Sequence, residues 1–375
     1  MNKVTKDMVY FLSCALNNQK VEPDRVKYAD LEQLYLVAER HSVLSMVAMV
    51  METAGVPLPK EWKQEKEKAV RKSILFDVEY QKLTSYMESH GIWYMPLKGR
   101  VLQELYPKKG MRQMADMDIL FDASRAKELQ LLMHDMGYTE KSLEAGVHDS
   151  YLKAPFYNVE LHRSLFELSP ISDVFEDYYQ NVKERLLPVK QDGMEVKFSL
   201  EDCYIYIMCH AYKHYAGSGT GLRTMADCYL YNKTYGKAMD REYIDKELEV
   251  LRISEFEQST RELCNLIFSG TKESSLSDEE QKLLNYYFTS GTYGFVARRV
   301  ENRINGYTKK SRLFGKIRYI WRRLFPGKET LEVYCPLAKK HKIFLLYGWI
   351  KRVFICVCRI KDKDLQEEIN QVVKH

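Results

Sequence analysis

Apolar residues in the first ninety positions recur at spacings of three and four, the period of a helix that buries one stripe. Leu31, Leu34, Tyr35 and Ala38 follow it, as do Leu44, Val47 and Ala48. Gly55, Pro57 and Pro59 interrupt the pattern. A long helix is then expected over residues 61–89, dense in Lys and Glu and carrying Val70, Ile74, Leu75, Val78 and Leu83, with Gly91 as its stop. Its charged runs read as solvated helix faces. After Gly91 the pattern shortens. Residues 92–95 (Ile-Trp-Tyr-Met) suit a buried strand, 97–105 a helix stopped at Tyr106-Pro107, 116–121 a second strand, and 124–136 an amphipathic helix. Asp122 or Ser124 would cap that helix and Gly137 would stop it. Residues 150–153 and 157–163 suggest an antiparallel pair. From 172 to 290 the helical period returns, most clearly over 200–215 and 222–235 on either side of Gly217-Ser218-Gly219-Thr220-Gly221. Ser199 is the expected cap of the first of these, with Asp202 three residues on.

This order predicts an α+β protein with a small mixed-sheet core between helical regions. The expected divisions are a helical region over 1–90, an α/β core over 91–165, a helical domain over 166–295 that completes the cleft, and a basic helical region over 296–375. In the last, eleven Lys and Arg residues between Arg298 and Lys328 face one acid, Glu301, and Phe314, Tyr319, Trp321 and Phe325 interleave them. That region could contact an anionic partner such as nucleic acid, lipid or an acidic protein; the alternative is a helix whose Arg stems cover apolar surface.

Composition narrows the class. With 375 residues, 45% hydrophobic and 29% charged, the chain is long enough for two or three globular domains. A net charge of +5 is too mild to mark a nucleic-acid binder by itself. The eight cysteines form no Cys-x-x-Cys pair, which disfavours a structural zinc; a chain this long and loop-poor disfavours disulfides and suggests a reducing cytoplasm. The N-terminus has no signal-peptide pattern. The most apolar stretch, residues 343–360, is split by Lys351 and Arg352, so no integral membrane span is expected.

Three islands carry candidate chemistry. In Asp116-x-Asp118 on a strand, both carboxylates point to one face, and two hard oxygen ligands there suit Mg²⁺ bound to substrate phosphates. Glu160-x-His162 repeats the geometry, adding a third carboxylate and an imidazole. Lys98-Gly99 follows a strand and opens a helix, where a phosphate can approach backbone amides and a lysine charge. Taken singly, each island is more often a solvated strand end, a strand with one polar face or an ordinary turn; their order is what points to a site.

The ordering resembles the nucleotidyltransferase fold of the polymerase-beta type: a glycine turn, Asp-x-Asp, then a later acid. More narrowly, Leu97-Lys98-Gly99, Tyr106-Pro107, Gly110-x-Arg112, Asp116-Met117-Asp118-Ile119-Leu120, Gly137-Tyr138 and Glu160-Leu161-His162 resemble a family of uncharacterised bacterial nucleotidyltransferases. The resemblance continues through Ala211-Tyr212-Lys213-His214 and Gly221-Leu222-Arg223-x-x-x-Asp227, covering about residues 30–235. Lys98-Gly99 replaces the Gly-Ser turn usual in the wider superfamily. The resemblance implies Asp116, Asp118 and Glu160 as catalytic carboxylates and ligands of Mg²⁺ (or Mn²⁺), with Lys98 and Gly99 at the phosphates of an NTP, ATP being the expected one. Arg112, His162, Lys213, His214 and Asp227 are further nucleotide-contact candidates. For Arg112 the alternative is a surface salt bridge, and for His214, as for His210, helix packing.

The activity implied is transfer of an NMP to an acceptor hydroxyl, on a protein, small molecule or RNA, with pyrophosphate released. One rival is a metal-dependent glycosyltransferase, which also uses Asp-x-Asp but places a longer α/β domain ahead of it. The other is a non-catalytic relative that binds a nucleotide or partner; it usually lacks one acid, and all three are present here.

Overall fold

The computed structural model describes residues 1–143, 146–167, 173–270, 276–292, 294, 296–307, 312–325, 327, 346–350 and 353. The chain forms two compact units, Met1–Lys213 with Gly221–Thr292, and His214–Thr220 with Tyr293–His375. The protein is α+β as expected: mostly helical, with a five-stranded mixed sheet and a separate two-stranded hairpin.

The sheet comprises β1 (Tyr94–Pro96), β2 (Met117–Phe121), β3 (Thr139–Ser142), β4 (His148–Lys153) and β5 (Tyr157–His162), in spatial order β1-β2-β5-β4-β3. β2 and β5 run parallel; the other neighbours are antiparallel. β2 and β5 place Asp118 directly opposite Glu160 and Leu120 opposite His162. β4 then sets Ser150 opposite Glu160 and His148 opposite His162. Because side chains alternate along a strand, the polar set occupies one face while Met117, Ile119, Phe121, Val159, Leu161 and Tyr151 occupy the other.

That second face packs on the helix Lys60–Ser89 through Phe76, Tyr80, Leu83 and Met87, and on the helix Ala126–Asp135 through Leu129 and Met133. Phe76, Tyr80, Leu83 and Met87 lie on one helical stripe, and each such burial contributes about 1.5–3 kcal/mol. Ile74 and Val78, on the same helix, are nearly half exposed. The helix ends in a Schellman turn: Gly91 has φ +64°, its amide bonds the Glu88 carbonyl, and the Ile92 amide bonds Met87. Using the Ile92 amide there delays the first strand to Tyr94.

Other expected elements appear with shifted ends. The helix after Leu97 spans Lys98–Gln103, and the segment after Asp122 opens as a 3₁₀ turn, Ala123–Arg125, capped by Asp122. The Ser199 hydroxyl accepts from the Asp202 amide at 3.0 Å, as expected of a cap. Strand β3 and the hairpin Leu187–Pro188 with Val196–Lys197 have no counterpart in the sequence reading. In the second unit, helices Val296–Tyr307 and Arg312–Leu324 pack through Val300, Ile304 and Tyr319. Among the described residues no helix is long and apolar enough to cross a membrane. Most of residues 343–360, together with Cys335, Cys356 and Cys358, lies outside the described residues.

Candidate active site

Asp116 sits immediately before β2 and Asp118 within it; Glu160 and His162 lie on β5. Ligand oxygens of Asp116, Asp118 and Glu160 all fall within 4.8 Å of one another. Two like charges at that separation repel by about 3–4 kcal/mol at an effective dielectric of ~20, so the arrangement needs compensating positive charge. Burial first, then the Asp118 charge, raise the Asp116 pKa above its ordinary value. Glu160 is raised for the same two reasons. At Asp118 burial also pushes upward, but the hydrogen bond and charge of His162, with Lys98, outweigh it and leave the carboxyl below its ordinary value. Three clustered hard oxygens, two of them held protonated more strongly than usual, fit a divalent cation such as Mg²⁺, which takes oxygen ligands.

Histidines flank the carboxylates. His162 Nε2 lies 3.4 Å from Asp118 Oδ1 and 4.0 Å from Glu160 Oε2. His148 Nε2 lies 3.4 Å from Glu160 Oε2, and the two rings are 4.8 Å apart between centroids. Burial, partly offset by Glu160, lowers the His148 pKa. His148 is absent from the sequence reading, although the symmetry of the β4–β5 hairpin could have found it: opposite His162, it needs only a strand that starts two residues before Ser150.

Lys98 begins the helix Lys98–Gln103, and the Leu97 amide ties this turn to the Asp118 carbonyl at 3.0 Å. Lys98 Nζ lies 2.6 Å from His210 Nδ1. Burial is the largest influence on the lysine. Asp118 opposes it and Arg112 and Arg223 add to it, bringing the pKa down to about 7. A Cβ on Gly99 would meet Arg112 Nη1 and Met114 Sδ at 3.6 Å, ordinary contact distances, so packing alone does not require glycine here.

Arg112 and Asp227 pair with each other. Nε and Nη2 of the arginine donate to the two carboxylate oxygens at 2.8 and 2.9 Å, and Tyr106 Oη donates to Asp227 Oδ1 at 2.7 Å. Both side chains are buried. Arg112 also donates to the Gly99 carbonyl at 3.3 Å. Burial pushes the Asp227 carboxyl upward, but Arg112 and Tyr106 more than reverse it, holding it below its ordinary value. Arg223 donates to the Gln113 carbonyl at 2.9 Å. Together these bonds fix the segment 99–113 that leads into Asp116.

Lys213 lies on the helix Leu200–Ala216, with Nζ 6.0 Å from the Phe166 ring centroid, and its charge reaches His148. His214 belongs to the second compact unit. Lys72, which the sequence reading also passed over, donates to the Ala115 carbonyl at 3.4 Å and stands 4.9 Å from the Phe76 ring centroid. Burial lowers its pKa against the pull of Asp116.

Comparison with protein families gives one match, over residues 27–269, to a model described as an uncharacterised nucleotidyltransferase. The chain belongs to that family. The match spans the helical region from residue 27, the whole five-stranded sheet and the helices as far as Phe268, and so contains every site residue described above. No curated protein and no solved structure matches the chain.

Proposed function

We propose that the protein is a metal-dependent nucleotidyltransferase of the polymerase-beta type that moves an NMP from an NTP, ATP being the expected donor, to an acceptor hydroxyl. The observation that carries this reading is the convergence of Asp116, Asp118 and Glu160 within 4.8 Å on one face of the sheet. It gains weight from membership of a nucleotidyltransferase family.

Asp116, Asp118 and Glu160 would hold Mg²⁺ or Mn²⁺, which when bound neutralises phosphate charge and polarises the α-phosphate. Lys98, at the start of its helix, would bind the β- and γ-phosphates, with the backbone of Gly99 beside them. Glu160 accepts the proton of the acceptor hydroxyl. The acceptor oxygen bonds to the α-phosphorus as the bond to the bridging oxygen breaks, and pyrophosphate leaves with that electron pair. His162 holds Asp118 in orientation. Lys213 carries further positive charge toward the triphosphate. Arg112 and Asp227 act indirectly, by fixing the backbone of the Gly99 turn and the approach to Asp116.

Incubation with each α-labelled NTP and Mg²⁺ or Mn²⁺, in the presence of protein, RNA and small-molecule acceptors, tests the reading. Label should appear on an acceptor from one NTP, with equimolar pyrophosphate. Tight NTP binding without pyrophosphate from any acceptor class would contradict it.

A further inference from the structure

We propose that His148, Glu160 and His162 form a second cation site, suited to a borderline transition-metal ion of the Zn²⁺ class and sharing Glu160 with the carboxylate set. The three residues come from adjacent strands in a fixed register: His148 stands opposite His162, and Glu160 is two residues from His162 on the same face of β5. One ligand atom from each lies within 4.8 Å of the others. A tetrahedral ion bound at about 2.0–2.1 Å separates its ligand atoms by roughly 3.3–3.4 Å. The His148 Nε2 to Glu160 Oε2 distance is 3.4 Å, and that from His162 Nε2 is 4.0 Å. Closing on an ion therefore needs the His162 ring to move nearer Glu160, from 4.0 Å, with ligand atoms of all three residues already within 4.8 Å of one another.

The rings present the correct nitrogens. Nδ1 of both His148 and His162 is buried, with no hydrogen-bond partner among the described residues. His148 Nε2 faces Glu160 at 3.4 Å, whereas His162 Nε2 lies between Asp118 Oδ1 at 3.4 Å and Glu160 Oε2 at 4.0 Å, so an ion would take the place of its hydrogen bond to Asp118. All three side chains keep partial solvent access, at 30% for His148, 13% for His162 and 19% for Glu160, which gives an ion an entry path. The donor set also separates this site from its neighbour. Asp116, Asp118 and Glu160 supply only hard oxygens, the chemistry of Mg²⁺. Two imidazoles and a carboxylate suit Zn²⁺, Co²⁺, Fe²⁺ or Ni²⁺, and three protein ligands leave one position open for a water or substrate oxygen. The proposal concerns cation binding and does not depend on nucleotidyl transfer.

Co²⁺ titration of the full chain in millimolar Mg²⁺, followed by visible absorption, is the test. The expected result is one Co²⁺ per chain with the intense band of a four- or five-coordinate ion. His148→Gln should weaken binding by about 10–100-fold, while Asp116→Asn should keep the band. Spin-echo detection of imidazole nitrogen on the Cu²⁺-loaded wild-type chain gives the same answer without relying on a variant that has to fold. Competitive displacement of Co²⁺ by Mg²⁺, equal affinity in His148→Gln, loss of the band in Asp116→Asn, or absence of a nitrogen signal would each overturn the proposal. None of these readouts requires NTP turnover, so failure here and failure of nucleotidyl transfer are distinguishable.

Discussion

Replacing Arg112 by Met should destabilise the first compact unit and loosen the segment that leads into Asp116. The guanidinium makes two hydrogen bonds to Asp227, at 2.8 and 2.9 Å, and both partners are buried. Removing one member strands the other charge without solvent, a loss of about 3–5 kcal/mol. With unfolding entropy near ~2.1 cal/mol/K per residue, a unit of this length should lose roughly 5–8 °C in Tm. The double replacement Arg112→Met with Asp227→Leu removes both charges and should recover most of that loss. The pair also sets a pH dependence. Asp227 has a folded pKa below the ordinary value of 3.8, so its contribution is fully present above that value and disappears as pH falls through the lower folded one. The acid limb of the stability curve should therefore flatten in the double variant. Thermal melts from pH 3 to 7 read both effects. If Arg112→Met left Tm unchanged and only weakened NTP binding, the arginine would be a phosphate contact and this reasoning would be wrong.

Three further outcomes are expected. Mg²⁺ should raise Tm, and by more as pH rises: Asp116 and Glu160 have raised folded pKa values, so without a cation the cluster is favoured in acid and that advantage is lost as pH rises through them. A Tm increase independent of pH between 4 and 7 would argue against carboxylate binding. Lys98, with a pKa brought down to about 7, is largely neutral at pH 8; NTP binding should draw a proton onto it, seen as a buffer-dependent calorimetric enthalpy that Lys98→Met removes. Gly221→Ala should cost about 2–3 kcal/mol or more, because its Cβ would lie 2.7 Å from the Gly291 carbonyl carbon and would displace His41, whose Nδ1 accepts from the Leu222 amide at 3.1 Å; a Tm within 1 °C of wild type would refute this.

Local pattern made the sheet face legible. Asp-x-Asp and Glu-x-His announce their own parity, and a strand's period of two then puts both sets on one face, with Ile119 and Leu161 opposite. Register across strands is not local: that Asp118 stands beside Glu160 follows from which strands pair, which no spacing reveals. Long-range partners were hidden for the same reason. Arg112 and Asp227 are 115 residues apart in sequence, and Lys98 and His210 are 112 apart. The long helix shows a different limit. Its lysine- and glutamate-rich pattern marks a helix, but Ile74 and Val78 are as apolar as the residues that pack, and only the position of the sheet selects Phe76, Tyr80, Leu83 and Met87 as the buried stripe. His148 was missed because the expected strand began at Ser150, two residues after the observed start at His148.

The central claim is that Asp116, Asp118 and Glu160 perform nucleotidyl transfer, and Asp118→Asn tests it most directly. The substitution keeps the side-chain shape and removes the charge that His162 and Lys98 hold ionised. Label transfer from α-labelled NTP, measured on wild type and variant whose circular dichroism spectra match, should fall by at least about 1,000-fold, some 4 kcal/mol of transition-state stabilisation. Undiminished transfer by Asp118→Asn would contradict the account.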